Sequence, residues 1–377
     1  MNNTDKNEQI FKVKDKKRNP GVDIIRIIAM YCIVMNHILF YTNAYDKFYK
    51  NKKQLMNLNI FTDWHNDGFI LISGIVGYKT NRYSNLIYLW LTVLFYSLGI
   101  HLYYRIVKKK FIETNSFSAD FFPIIFRKYW YFTAYFGMYL FLPVINKGIS
   151  ILSKYEHKLV VVTTLGFFVI WKDFKNTKND VFNMISGYSM IWLMTFYLTG
   201  SYIGKYQVIY SGTKKYISCF IYIFIYIFVS YLYIKIKIEK INNEKLTHLI
   251  TFLKKILSWR YDSFIKITQS ITACLFFLQL SYNKYLDKII CFLGPHVFGI
   301  YLIHNNKLMK ENLLQHIFST TPINSSLTSI IILLLFKSIQ IFILSIIIDY
   351  LRNLLFIRLR LRKIFVFIEK FLIKVFS

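Results

Sequence analysis

Eight stretches of 17 to 25 residues contain no Asp, Glu, Lys or Arg, and they limit the folds that this chain can adopt. About 20 apolar residues in an α-helix cross the roughly 30 Å hydrocarbon layer of a membrane. Within that layer only helices and closed barrels satisfy every backbone polar group internally. The sequence therefore predicts an all-α, polytopic bundle of transmembrane helices. The charge-free stretches are 27–45, 83–104, 129–146, 181–204, 216–234, 267–283, 289–306 and 312–336.

Two further windows set the number of spans. Windows 68–78 and 159–171 reach spanning length when the polar residues at their ends are included. The total is then about ten spans. The composition agrees with this class, because 55% of the residues are hydrophobic, 19% are aromatic and the mean hydropathy is +0.37.

The distribution of charge predicts the orientation. The net charge is +29, and Lys and Arg are concentrated before the first span and after the last one. By the positive-inside rule both termini are cytoplasmic, which an even number of spans permits. We expect a disordered basic tail over 1–20, a transmembrane domain over 21–350 and a basic amphipathic segment over 351–377 that lies on anionic lipid. Because the cations flank spans, nucleic-acid binding is not indicated.

Several function classes lack their sequence signatures. The four cysteines lie in apolar windows without CxxC spacing, so neither a metal site nor a disulfide framework is predicted. The absence of Walker, GxGxxG, HExxH and GxSxG motifs argues against an ATP-driven pump and a soluble-type hydrolase. Ten spans would place the basic loop 235–266 outside, where it could attract an anionic glycan. A solvated, lysine-rich helix is the simpler interpretation of that loop.

The first span carries the strongest candidates for chemistry. Arg26 and His37 are eleven residues apart, which in a helix places them within roughly 20° of each other and about 16 Å apart along the axis. Ionisable groups in a span are costly unless they face a polar cavity. His37 could be a general base, a nucleophile or a structural bridge between helices. Arg26 could bind phosphate or anchor at headgroups, and Asp23 could pair with it.

Three other places are candidates for binding. Trp64, His65 and Asp67 begin the second span and predict a polar cluster at the outer mouth, where Trp64 could stack on a sugar ring. The alternative is a solvated helix end. His304 ends the ninth span and could orient an acceptor or cap its helix. Lys337 is the only charge in the middle of the last span, so it is predicted to face the bundle interior and to bind or neutralise an anion there.

Four motifs resemble those of one family. Arg26-x10-His37 in the first span and Gly68-Phe-Ile-Leu-Ile-Ser-Gly74 in the second are similar to signatures of the acyltransferase family 3 integral-membrane O-acyltransferases. The segment 128–146, which begins Lys-Tyr-Trp-Tyr-Phe, resembles the fourth-span signature of the branch that acetylates capsule and cell-surface polysaccharides. Phe298-Gly-Ile-Tyr-Leu-Ile-His304 resembles the late motif of the family. The resemblance runs in order over nearly the whole chain.

The resemblance implies transfer of acetyl from cytoplasmic acetyl-CoA to a hydroxyl of a bacterial surface polysaccharide or its lipid-linked precursor. Acetyl-CoA would be a co-substrate, with no bound cofactor, and the enzyme would be a multi-pass protein of the bacterial cytoplasmic membrane. His37 would be the catalytic residue. Together with the candidates above, the expected donor site comprises Arg26, Ser73 and Gly74, and the expected acceptor pocket comprises Trp64, His65, Asp67, Tyr129, Trp130, His304 and Lys337.

Other functions stay open from the sequence. A polysaccharide exporter or flippase would also be a polytopic bundle with buried polar groups. Another acyl group, such as succinyl, could be transferred in place of acetyl. Within the acetyltransferase interpretation, direct activation of the acceptor by His37 and a covalent acetyl-His37 intermediate are both compatible with the residues.

Overall fold

A computed structural model describes residues 18–109, 114–171, 182–206, 210–238 and 260–376. Across those ranges the chain is helical and contains no strand, which confirms the predicted all-α membrane bundle. Most of the predicted N-terminal tail and most of the basic loop 235–266 lie outside the described residues.

The described helices vary widely in length, from single turns to 32 residues. Three of them continue into short π-helical segments at Tyr103–Val107, Gly166–Trp171 and Ile234–Ile238. In chain order the α-helices are α1 Pro20–Tyr41, α2 Ala44–Lys47, α3 Lys52–Thr62, α4 His65–Gly77, α5 Tyr83–Leu102, α6 Thr114–Phe121, α7 Trp130–Leu140, α8 Leu142–Ile151, α9 Lys154–Leu165, α10 Met190–Tyr206, α11 Gly212–Tyr233, α12 Phe264–Gln279, α13 Lys284–Leu293, α14 Val297–His304, α15 Lys307–Asn312, α16 Leu327–Arg358 and α17 Leu361–Phe376.

Helical segments occupy all ten predicted span positions, but only half of them are long and apolar enough to cross a membrane by themselves. The five that qualify are Pro20–Tyr41, Tyr83–Val107, Gly212–Ile236, Lys284–His304 and Leu327–Arg358. The other positions hold shorter helices. Helix α4, for example, has 13 residues and rises only about 20 Å. The count of ten spans therefore stays a prediction for these shorter segments.

Helix α1 lies inside the bundle. It packs against α4, α12, α13, α14 and α16, and 56% of its most apolar window is buried, against 28% in Gly212–Ile236. Pro20 at the first turn and the Asn19 side chain, which accepts from the Gly21 backbone N–H, begin this helix. The interior position of α1 brings the ionisable groups of the first span among protein side chains instead of lipid.

Glycines allow α4 and α10 to pack closely. A Cβ added at Gly74 would overlap the Tyr197 carbonyl, and one at Gly200 would overlap the Leu71 carbonyl. Small residues at helix contacts let backbones approach in this way. Gly74, a predicted donor-site residue, therefore has a structural role at this helix crossing.

The first residues of the predicted basic C-terminal segment, 351–358, continue α16, and Leu361–Phe376 forms α17, which packs beside α5. The Glu369 side chain accepts a hydrogen bond of 2.6 Å from the Tyr83 backbone N–H. Large apolar side chains of α17 are exposed, among them Phe367 and Phe371. An amphipathic helix of this kind suits a lipid surface, and the interfacial position stays a prediction.

Candidate active site

Two cavities meet in the interior of the bundle. The first, which we call the Arg26 cavity, has a volume of about 600 Å³, and the second, the His37 cavity, about 780 Å³. Their linings share Ile33, Asn66 and Tyr301. Helix α1 therefore lines both cavities, with Arg26 in one and His37 in the other, as the eleven-residue spacing predicts.

Three arginine side chains line the Arg26 cavity. Asp23 is 1% exposed, and its carboxylate accepts from Arg26 at 2.7 Å, which confirms the predicted pair. The same carboxylate accepts from two nitrogens of Arg18, each at 2.7 Å. Arg362 of α17 also lines the cavity. Two guanidinium groups thus bind one buried carboxylate and a third lines the same cavity, and such an excess of planar cations suits phosphate.

His37 and His304 form a hydrogen-bonded pair across α1 and α14. His37 Nδ1 lies 3.0 Å from His304 Nε2, and His304 Nδ1 lies 2.6 Å from the carbonyl oxygen of Ile300. Because a carbonyl can only accept, His304 Nδ1 carries a hydrogen. When both rings are neutral, His304 Nε2 then accepts from His37 Nδ1. This arrangement leaves the lone pair of His37 on Nε2, where a base or nucleophile needs it.

A polar network that includes His65 of α4 lies beside His37. The Asn36 amide lies 3.2 Å from His65 Nε2, and that nitrogen lies 3.2 Å from the Asp63 carboxylate. Lys266 of α12 contacts the other oxygen of Asp63 at 2.7 Å. Because Asn36 directly precedes His37, this network fixes the backbone of α1 next to the imidazole.

Aromatic side chains from three segments line the His37 cavity. The ring centroids of Trp130 and Tyr188 are 4.3 Å apart, and those of Tyr188 and Tyr261 are 5.0 Å apart. The Tyr261 backbone N–H donates to the Ser186 carbonyl at 3.2 Å. Gly187 has a φ of +90° and lies so close to Tyr261 that a Cβ there would overlap it. We call Trp130, Tyr188 and Tyr261 the aromatic wall.

Cations also face the His37 cavity. Lys52 pairs with Asp46 at 2.9 Å, and Lys128 pairs with Asp120. Lys310 lies 4.6 Å above the ring of Tyr41, whose centroid is 5.5 Å from that of His37. Burial lowers the pKa of Lys310 to about 8. The cavity therefore joins an imidazole pair, an aromatic wall and a titratable amine.

The structure brings six of the eleven predicted site residues to these cavities. Arg26 and Ser73 line the Arg26 cavity, and His37, His65 and Trp130 line the His37 cavity. His304 reaches the site through its hydrogen bond to His37.

The other five lie outside both linings. Trp64 is 4% exposed and its ring lies against Gly68. Asp67 accepts from the Trp192 indole at 2.9 Å. Tyr129 donates to the Leu302 carbonyl at 3.1 Å and so supports the segment that carries His304.

Gly74 lies at the helix crossing described above. Lys337 is half-buried on α16, with its amine 5.9 Å from the ring of Phe336.

Several lining residues were not singled out from the sequence. Arg18 belongs to the predicted basic tail, Tyr261 lies within the basic loop, and Tyr188 lies in the charge-free window 181–204. Tyr301 lies inside the late motif, three residues before His304, and Lys310 follows that motif. Nothing in the sequence indicates that these residues line a common cavity. Tyr301 differs from the others only in that it lies within a family motif.

Comparison with known proteins identifies the family. A family model described as an acyltransferase domain, that of acyltransferase family 3, matches residues 19–350. The chain therefore belongs to acyltransferase family 3 and is a membrane acyltransferase. No curated protein and no solved structure matches the chain significantly.

Proposed function

We propose that this protein transfers an acetyl group from acetyl-CoA in the Arg26 cavity to a hydroxyl of a surface polysaccharide, or its lipid-linked precursor, in the His37 cavity. One observation carries the proposal. The two cavities adjoin along α1, and the His37–His304 pair lies on the side away from the arginines. In a transfer between two substrates, the charged part of the donor and the reactive hydroxyl of the acceptor need separate binding places, and the two cavities supply them.

The Arg26 cavity suits the donor. Arg18, Arg26 and Arg362 line it, and two of these belong to the chain ends that the positive-inside rule assigns to the cytoplasm. Coenzyme A is cytoplasmic and carries several phosphates, which guanidinium groups bind bidentately. The acetyl end of the donor would then point along α1 toward His37.

The His37 cavity suits a sugar acceptor. Aromatic faces pack against the apolar C–H faces of sugar rings, and the aromatic wall supplies such faces beside His37. Lys310 and Arg127 add positive charge to the same lining. We therefore expect the acceptor to be a glycan of the cell envelope, presented on the outer side of a bacterial cytoplasmic membrane.

The proposed chemistry uses the free lone pair of His37. Its Nε2 takes the proton from the acceptor hydroxyl as the oxygen attacks the thioester carbonyl carbon. The carbon–sulfur bond breaks, and the coenzyme A thiolate receives the proton. His304 Nε2 accepts a hydrogen bond from His37 Nδ1–H and so fixes the tautomer of His37. His304 is therefore a positioning residue. The same Nε2 could instead take the acetyl group first and pass it to the acceptor.

Purified protein in detergent with radiolabelled acetyl-CoA tests the proposal. Wild type should release free CoA and label the glycan, and His37→Ala should lose at least about 1000-fold in kcat. His316→Ala is the matched control, because His316 is exposed and lies outside both cavities. Labelled glycan from His37→Ala at the wild-type rate would refute the proposal.

Further measurements distinguish the covalent from the direct route, identify the acyl group and test the exporter interpretation. Acetyl trapped on His37 without acceptor supports the covalent sequence, whereas strictly ternary-complex kinetics exclude it. Comparing acetyl-CoA with succinyl-CoA identifies the acyl group. If His37→Ala stopped glycan export while acetylation continued, the exporter interpretation would replace ours.

A further inference from the structure

The lining of the His37 cavity carries an excess of positive charge. Its lysine and arginine side chains are Lys52, Arg127, Lys128 and Lys310. Lys52 and Lys128 each pair with an aspartate, as described above. Arg127 and Lys310 differ from them, because no carboxylate of the described residues forms an ion pair with either side chain.

The carboxylates of the same lining do not cancel this excess. They belong to Asp46 and Asp63. Asp46 accepts from Lys52 at 2.9 Å, and Asp63 lies 2.7 Å from the amine of Lys266. Each acid is therefore neutralised by a cation of its own, and two positive charges of the lining remain for a ligand.

Arg127 has a backbone conformation that favours glycine. Its φ is +48°, in the left-handed region. The Lys128 N–H donates to the Pro123 carbonyl at 2.9 Å, and the Arg127 N–H donates to the Ile124 carbonyl at 3.1 Å. These two bonds close a helical turn on a left-handed residue, a position that glycine takes at the least cost in free energy. An arginine there, in the lining of a cavity, indicates a use for its guanidinium group.

The other left-handed residues do not line these cavities. The described chain has seven residues other than glycine with a positive φ, and among them Arg127 alone lines the Arg26 cavity or the His37 cavity. Lys109 has the same φ of +48° but is an exposed residue outside both linings. Arg127 and Lys109 therefore share a backbone conformation and a charge, and they differ in their surroundings.

Each of the two unpaired cations lies near a group that the proposed acceptor would contact. Arg127 is three residues before Trp130 of the aromatic wall, on the same chain segment. The Lys310 amine lies 4.6 Å from the centroid of the Tyr41 ring, which is 5.5 Å from the centroid of the His37 ring. A sugar that packs on the aromatic wall with a hydroxyl at His37 therefore lies in a region of positive charge.

We propose that the acceptor is an acidic glycan and that Arg127 selects it by binding its carboxylate or phosphate group. This rests on the proposed function and names the class of its acceptor. A guanidinium group binds either anion through two parallel hydrogen bonds, and Lys310 adds a second positive charge to the same cavity. Arg127 acts in binding alone, so its loss should raise the KM for the acceptor.

Fragments of the host's surface polysaccharide test the class of acceptor. The fragments are freed of O-acetyl groups by mild base and offered with acetyl-CoA to the purified full-length protein. In parallel samples the carboxylates are reduced to alcohols, or the phosphates are removed with hydrofluoric acid. One of these treatments should raise the acceptor KM about 20-fold and so identify the anion. A polymer without either group, or a KM that neither treatment changes, would overturn the inference.

Arg127→Gly tests the residue. It should raise the KM for untreated fragments about fivefold, the upper range for an exposed ion pair, and by less than about twofold once the charge of the acceptor is removed. Its melting temperature should equal or exceed that of wild type, because glycine relieves the left-handed backbone. A lower melting temperature with an equal rise in both KM values would assign Arg127 a structural role and overturn the inference.

Lys109→Gly is the matched control. It relieves the same backbone conformation and removes the same charge at an exposed position outside the cavities. It should therefore keep the wild-type KM for untreated fragments. An increase equal to that of Arg127→Gly would show that net charge, and not a contact in the cavity, attracts the acceptor, which contradicts the inference.

Binding without the donor separates this inference from acyl transfer. In isothermal titration calorimetry without acetyl-CoA, untreated fragments should bind Arg127→Gly about fivefold more weakly than wild type. Wild type that binds acidic fragments selectively but transfers no acyl group would overturn the proposed function alone. Acyl transfer to acidic and neutralised fragments with the same KM would overturn the acidic acceptor and leave acyl transfer standing.

Discussion

The Arg26 cavity and the His37 cavity are of comparable volume and share the same central helix, but they handle charge in opposite ways. Near one end of α1, two guanidinium groups bind one buried carboxylate and a third lines the same cavity, and all three stay charged at any physiological pH. Eleven residues further along, two imidazoles bond to each other and to a backbone carbonyl, and no carboxylate of the described residues contacts the pair. In the proposed function, the first arrangement binds the charged part of the donor, and the second presents the lone pair of His37 to the acceptor.

Under the proposed function, the comparison gives a physical reason for placing two substrates along one helix. A guanidinium beside His37 would add to the repulsion that the cations of the His37 cavity already exert on the imidazolium of the proposed transfer. Separating the two by about three turns of helix keeps that repulsion small while a long donor still reaches both. Variants that affect one cavity should therefore change one kinetic parameter and leave the other unchanged.

Among the variants that test this comparison, the largest effect is expected at His304. His304→Phe removes the acceptor for His37 Nδ1, so the imidazole loses its tautomer and orientation, and kcat should fall about 100-fold. His304→Gln keeps an oxygen that can accept, so it should recover part of the rate. Stopped-flow or steady-state assays of acetyl transfer measure both. Equal loss in the two variants would mean that His304 acts only by packing.

Arg26 should show the opposite kinetic pattern. Arg26→Ala removes a charge-assisted hydrogen bond to phosphate, so the KM for acetyl-CoA should rise about 30-fold. Because Asp23 keeps its bonds to Arg18, the helix should stay folded. The kcat at saturating donor should change little. A fall in kcat with unchanged KM would contradict the division between the two cavities.

The aromatic wall gives a smaller effect, on the acceptor only. Tyr261→Ala should raise the KM for the glycan about fivefold, which corresponds to the loss of one aromatic contact. Tyr261→Phe should behave as wild type, because the ring face remains. The KM for acetyl-CoA, measured in the same assays, should not change in either variant. A rise in that value would place the wall on the donor side.

The smallest effect concerns pH. Burial lowers the pKa of Lys310 to about 8, so its amine is charged below that pH and loses its charge as the pH rises through it. For an anionic glycan, the acceptor KM should rise about threefold between pH 7 and 9. Lys310→Met should show the higher KM at both values, with exposed Lys307→Met as the control. A wild-type KM independent of pH would show that Lys310 does not contact the acceptor.

The bundle was predictable because lipid imposes a simple rule on sequence. A helix that crosses the hydrocarbon layer must lack charged residues over about 20 positions, so the charge-free windows of the sequence indicate where the helices lie. The break between α7 and α8 escaped prediction because it occurs at Phe141, inside the charge-free window 129–146. Within a window, apolar composition does not distinguish one long helix from two short ones.

The site was predictable along one helix but not between helices. The spacing of Arg26 and His37 depends only on helix geometry, whereas the bond from His37 to His304 joins residues 267 apart in the chain. Trp64 shows the same limit, since a helix-start tryptophan can face solvent or core, and here it packs on Gly68. Contacts between distant segments depend on the packing of the whole bundle.

The most direct test of His37-dependent glycan acetylation is proton NMR of the purified surface polysaccharide from the host cell. The strains carry the intact gene, a deletion, His37→Ala and His316→Ala, with the variants expressed at equal level. We predict that the O-acetyl methyl signals disappear in the deletion and in His37→Ala, persist in His316→Ala, and that polymer is exported in all four. Unchanged acetyl signals together with reduced surface polymer in His37→Ala would contradict the account.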